Sequence, residues 1–220
     1  MGEINIIVIG VIVITALTSY KGFNDQVFFD RYKFNIGAIL RGKQWDRLLT
    51  SAFLHGDLMH LIFNMYTFYF FSTFLLYYGV AFFFITYLGS ILGGNLLSLW
   101  MHKKNPYYSA IGASGGVSGI LFASIILNSQ ISIGIFPLPL NIPGWVFGII
   151  YLGYSVYGMK AQLGNVGHDA HLGGAIMGIV AALGFIVKFP DYPFISFKPM
   201  YLLFMLIPLS VLAYFVYKEK

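Results

Sequence analysis

Long apolar runs, seven of them, dominate this chain and leave it few possible folds. A helix needs about 20 mostly apolar residues to cross a hydrocarbon core roughly 30 Å thick. Runs of that kind lie at about Ile4 to Leu17, Leu58 to Tyr78, Ala81 to Trp100, the Gly112 to Gly116 cluster through Leu127, Trp145 to Met159, His168 to Val187 and Met200 to Tyr217. A water-soluble alternative fails on charge. Only 10% of the residues are charged and 58% are hydrophobic, whereas ordinary globular domains carry about 25% charged residues. The chain therefore reads as an all-α polytopic membrane protein whose first partner is the lipid bilayer. Its net charge of +5 suits anionic headgroups, and no basic run is long enough to suggest nucleic acid. With no Cys, disulfides and thiolate metal sites are excluded.

Glu3, and no basic segment, precedes the first run, so that run is expected to be a membrane helix and not a cleaved signal peptide. The stretch from Ser19 to Leu54 mixes Lys21, Arg31, Lys33, Arg41, Lys43 and Arg47 with Phe23, Phe28, Phe29, Phe34, Ile36, Ile39 and Leu40. Too long for a connector and too apolar for disorder, it is expected to fold and partly enter the bilayer interface. The short turn at Gly79 makes the second and third spans antiparallel neighbours. Pro137, Pro139 and Pro143 break the chain before the fifth span, and Pro190, Pro193 and Pro199 before the last. No repeat period is present. One helical membrane domain is expected over residues 1–188, including the loop at about 19–54. A linker and final helix occupy 189–220.

Polar groups inside spans are costly and are functional candidates by default. His60 and Asn64 are four residues apart on one helical face; the plain reading is an interhelical hydrogen-bonding pair. Ser114 sits in Gly112-Ala113-Ser114-Gly115-Gly116, where small neighbours admit a substrate carbonyl and a helix start offers free N–H groups. The plain reading there is close helix packing through Gly115 to Gly119. His171 lies one turn before Gly174, which with Gly178 forms a G-x-x-x-G face that brings helix backbones into contact. If its partner is the fourth span, the imidazole can take the proton of the Ser114 hydroxyl. Asp169, two residues from His171 on the helix, faces away, so a Ser–His dyad is expected rather than a triad. His60, Asn64 and the Ser114 N–H supply donors for a developing oxyanion.

At these residues the sequence resembles the rhomboid family of intramembrane serine proteases. The resemblance rests on Gly112-Ala113-Ser114-Gly115, on Ala170-His171 with Gly174 and Gly178, on His55-x4-His60-x3-Asn64, and on Trp45-Asp46-Arg47, similar to the family's Trp-Arg signature. It implies a six-helix rhomboid-like core plus a C-terminal seventh transmembrane helix, in a multi-pass protein of the cell membrane. It also implies Ser114 as nucleophile and His171 as base, with His60, Asn64 and the Ser114 amide lining the oxyanion hole. His55, Trp45, Arg47, Gly112, Gly115, Gly174 and Gly178 would be structural supports. The implied substrates are transmembrane proteins; no cofactor and no metal are implied.

Three features depart from the family pattern. No acid lies between Leu58 and Tyr78, where a Glu often anchors the first loop, and small Ser118 stands where an aromatic commonly stacks on the catalytic His. With the family's inside N-terminus, only Lys188 and Lys198 fall inside, the reverse of the positive-inside bias; an outward-facing site is nonetheless expected from the family. Three rival readings stay open. A zinc protease built on His55, His60, His168 and His171 lacks H-E-x-x-H spacing. An inactive relative could bind client transmembrane helices. A transporter would draw on Asn95 and the Pro breaks.

Overall fold

A computed structural model describes residues 6–135, 140–161, 163 and 166–218. Helix α1 (Ile6–Asn24) leads into a loop region built from α2 (Gln26–Tyr32), β1 (Phe34–Asn35), α3 (Ile36–Leu40) and α4 (Arg47–Thr50). Then come α5 (Leu58–Leu75), α6 (Val80–Met101), β2 (Ser109–Ala110) and α7 (Ser114–Leu127). The hairpin β3 (Ser132–Ile135) and β4 (Leu140–Pro143) precedes α8 (Gly144–Ala161), α9 (His168–Lys188) and α10 (Pro199–Lys218). Pro137 and Pro139 lie outside the described residues.

Each expected span is a helix, within a few residues at most boundaries. The first is longer than expected, running to Asn24. Its polar end is satisfied locally, since the Thr18 hydroxyl donates to the Ile14 carbonyl and the Asn24 amide to the Tyr20 carbonyl. Four helices are long and apolar enough to cross a membrane: Ile6–Asn24, Leu58–Tyr78, Val80–Met101 and His168–Lys188. Helix α7 is shorter, with 14 residues, about 21 Å at the usual helical rise. The reason is its position: every residue from Gly115 to Leu127 is buried by other helices.

Small residues set that position. In lipid, helices associate by close packing rather than by escape from water. A Cβ on Gly174 would overlap the Gly115 carbonyl, and one on Gly178 would overlap the Gly119 carbonyl. Backbones of α7 and α9 therefore touch along two turns. Helix α6 joins them, with Gly94 against the Ala170 carbonyl. Around this tight unit, Phe68, Phe83, Tyr87 and Phe122 fill the wider gaps and are fully buried. Helix α10 lies outside it, packed mainly on α8. The linker before α10 is tied to the second span's end: the Tyr78 hydroxyl donates to the Phe194 carbonyl at 2.8 Å and the Tyr192 hydroxyl to the Tyr77 carbonyl at 2.7 Å.

Beyond Asn24 the first loop is folded, through contacts distant in sequence. Strand β1 pairs with β2, Phe34 opposite Ala110. Arg47 is buried; its guanidinium donates to the Gln44 side chain at 2.7 Å and to the Asp30 and Lys33 carbonyls at 2.8 and 2.6 Å. Trp45 is 51% exposed.

Candidate active site

Gly112 opens the site. Its φ of 116° lies where L side chains are strained, and this turn points two successive N–H groups back at the loop before α5. The Gly112 N–H donates to the Ser51 carbonyl at 3.0 Å, and the Ala113 N–H to His55 Nε2 at 3.4 Å. Ser114 follows as the first residue of α7, and no side chain caps that end. The first-turn N–H groups are thus directed at whatever lies over Ser114, with the positive end of the helix dipole behind them.

His55 holds this segment and is itself fully buried. The Ser19 hydroxyl donates to the Phe53 carbonyl at 2.9 Å, which leaves its oxygen free to accept from His55 Nδ1–H, also at 2.9 Å. Nε2 must then be the unprotonated nitrogen, because it accepts from Ala113. A second proton would set two N–H groups head to head. Burial, with His60 nearby, accordingly pushes His55 down from 6.5 to about 3. The unfolded chain binds this proton at higher pH than the folded one, so stability should fall as pH drops below 6.5 towards 3. The slope from this group approaches about 1.4 kcal/mol per pH unit. Melting temperatures in detergent between pH 7 and pH 4 should decline more steeply for the wild type than for His55→Gln. Parallel curves would show that His55 is not held neutral.

Asp57 caps α5, accepting the His60 N–H at 2.7 Å, and so starts that helix where His60 faces the loop. The His60 ring meets His55 edge to face, with centroids 4.8 Å apart. It also meets Gly112: a Cβ there would stand 3.0 Å from His60 Nε2 and 3.8 Å from Ser114 Oγ. His60 and Ser114 therefore converge on one point. Asn64 is buried below them and donates to the His60 carbonyl at 2.9 Å.

On the other side, the Ala170 carbonyl lies 3.2 Å from where a Gly115 Cβ would be. The backbones thus touch one residue after Ser114 and one before His171. Both side chains are half-buried. Among the described residues the Ser114 hydroxyl makes no hydrogen bond, to His171 or to any other group; such bonds often close only when substrate is bound. The His171 ring is stacked on Tyr151, centroids 6.0 Å apart and 28° between planes. Asp169 faces away from it, as expected, taking the Tyr108 hydroxyl at 3.3 Å and His102 Nε2 at 3.3 Å.

Two contacts stand where the sequence lacks the usual supports. Asn95 on α6 donates to the Leu48 carbonyl at 2.8 Å and the Ser51 hydroxyl at 3.1 Å, anchoring the first loop without an acid on α5. Ser118 hydrogen-bonds the Tyr151 hydroxyl at 2.5 Å, so a small residue admits an aromatic from α8. Sequence reasoning missed both. Among the described residues no three His or acidic side chains converge as a metal site.

Comparison with known proteins identifies a family. Residues 42–188 match the family model described as the rhomboid domain, a span that contains every candidate residue from Trp45 to Gly178. The chain is 27% identical to "RHOMBOID-like protein 12, mitochondrial" of Arabidopsis thaliana over 80% of this chain and 57% of that protein. It is 32% identical to "Rhomboid protein 1, mitochondrial" of Saccharomyces cerevisiae over 60% of this chain and 40% of that protein. A third relative, "Rhomboid-like protein 11, chloroplastic" of Arabidopsis thaliana, is 28% identical over 67% of this chain and 54% of its own length. The chain spans about half the length of the curated relatives it matches. Their organellar names give no support to the expected cell membrane; an integral, multi-pass placement stands.

Proposed function

The chain belongs to the rhomboid family, and we propose that it is an intramembrane serine endopeptidase that cleaves transmembrane segments of other membrane proteins. The observation that carries the proposal is the convergence at Gly112. One side chain with ring N–H capacity (His60) and the uncapped start of α7 meet at Ser114, while backbone contact at Gly115 brings α9 and His171 alongside. His171 accepts the Ser114 proton as Oγ attacks the scissile carbonyl. The oxyanion that forms is held by the Ser114 N–H, by His60 and by Asn64, whose amide keeps a second N–H beyond its bond to the His60 carbonyl. His171 then protonates the departing amine, and a water deprotonated by the same imidazole releases the acyl group from Ser114. No carboxylate takes part, because Asp169 is committed to Tyr108 and His102.

Such a mechanism needs a substrate whose helix has opened, since a helical carbonyl is already hydrogen-bonded and shielded. The remaining proposals follow the family. The first six spans form the catalytic core over residues 1–188, α10 is a seventh span appended beyond the matched region, and the site opens outward.

A fluorophosphonate probe tests the nucleophile. It should label the wild-type protein in detergent, and Ser114→Ala should not be labelled. Labelling that survives in Ser114→Ala would remove Ser114 from its role. A folded wild type that never labels would favour the rival reading, a proteolytically inactive relative that binds client helices.

A further inference from the structure

A base without a carboxylate partner has a positioning problem. Nothing in the dyad fixes the plane of the imidazole, and among the described residues the His171 ring makes no hydrogen bond. What orients it is ring packing. Tyr151 lies nearly parallel to it, with His168 edge-on at 6.2 Å. Tyr151 in turn is fixed from α7. Its hydroxyl is bonded to Ser118, and its ring leans on Phe122 at 5.7 Å as well as on Phe147 of its own helix at 5.9 Å. Ser118 and Phe122 stand one and two turns beyond Ser114 on the same helix. The position of Tyr151 is therefore referred to the helix that carries the nucleophile, and its ring passes that reference to the base.

Resting on the dyad proposed above, we infer that Tyr151 is the positioning residue for His171, and that the Ser118 hydroxyl sets it in place. Two consequences follow from the chemistry. An ordered imidazole meets the Ser114 hydroxyl in one plane, which matters because small angular errors cost rate steeply. The electron-rich face of the phenol also favours the imidazolium formed at the transition state over the neutral ring before it. Both effects act on turnover rather than on substrate binding. The arrangement further makes α8 part of the catalytic apparatus, although it packs more lightly on α7 and α9 than those two do on each other. Its outer side is braced by α10, where Trp145 stacks on Tyr201 at 4.9 Å and the Lys160 ammonium sits 3.7 Å from the Phe215 ring centre.

The test is steady-state cleavage of a model transmembrane substrate by the full chain in detergent, with kcat and KM resolved. Tyr151→Leu should lower kcat by about 10–100-fold with KM unchanged. Tyr151→Phe, which keeps the ring, should recover most of that loss. Ser118→Ala should match Tyr151→Phe, and the double variant Ser118→Ala/Tyr151→Phe should be no slower than either, because both remove the same bond. Melting temperatures separate positioning from folding; if Tyr151→Leu does not fold, Tyr151→Met, which also lacks the ring, takes its place. Ser114→Ala runs alongside. If it is dead while Tyr151→Leu turns over like wild type, Tyr151 does not position the base and the dyad stands. Cleavage that persists in Ser114→Ala overturns the dyad and this inference with it. Losses confined to KM would assign Tyr151 to substrate binding instead.

Discussion

Replacing His171 by alanine should slow cleavage of a transmembrane substrate by roughly three orders of magnitude, about 4 kcal/mol of transition-state free energy. Replacing Ser114 should do at least as much. The more searching result is the double variant. Nucleophile and base act in one proton transfer, so once either is gone the other contributes nothing. Ser114→Ala, His171→Ala and Ser114→Ala/His171→Ala should therefore fall to the same residual rate, measured by single-turnover cleavage at equal enzyme. Neither single change should disturb the fold. Both side chains are half-buried, and the packing of α7 on α9 runs through Gly115, Gly174 and Gly178, which are untouched. Losses that multiply in the double variant would mean the two residues act at separate steps, and the dyad would have to be abandoned.

Much of this site could be read before any coordinates, for a physical reason. Spacing along a helix is local information. His60 and Asn64 share a face because they are four apart, and Gly174 with Gly178 marks a contact face for the same reason. Which helix meets that face is left open in the sequence; Gly115 and Gly119 offer a matching small stripe, and the structure seats Gly174 and Gly178 on it. Helix limits were legible where a strong stop coincides with the membrane edge, as at Asp57 and Gly79. They were less so at Leu17, where Thr18 and Asn24 bond back to their own helix and let it continue.

What stayed hidden depends on partners far along the chain. Asn95 read as a lone polar group, and only the fold shows that its amide spans to Leu48 and Ser51, more than 40 residues away. The pairing of β1 with β2 is likewise non-local, and two residues per strand leave no periodic signal. Ser19 gave no hint of its place beside His55. Tyr151 is one tyrosine among 16. The clue to it was negative: Ser118 is too small to fill the space beside His171, so some other side chain had to, and sequence does not say which.

Gly112→Ala should damage turnover far more than it damages the fold. At φ 116° an alanine is strained, at a cost of about 1–3 kcal/mol. More important is where the methyl would go. It would lie 3.0 Å from both His60 Nε2 and Cε1 and 3.8 Å from Ser114 Oγ, which is the space a substrate carbonyl oxygen needs between its donors and its nucleophile. Pushing His60 away would remove one oxyanion donor, worth about 10²–10³ in kcat. Leaving His60 in place would exclude the oxygen itself. Either way kcat should fall about 100-fold or more, with the melting temperature lowered by no more than the backbone strain requires. Gly56→Ala is the control: its Cβ would meet only Ile111 Cδ1, at an ordinary 3.6 Å, and rate and stability should both stay near wild type. Assays well below either melting temperature keep unfolding out of the comparison. Wild-type turnover in Gly112→Ala would show that the reacting carbonyl does not approach between His60 and Ser114, and the oxyanion site would have to be sought elsewhere.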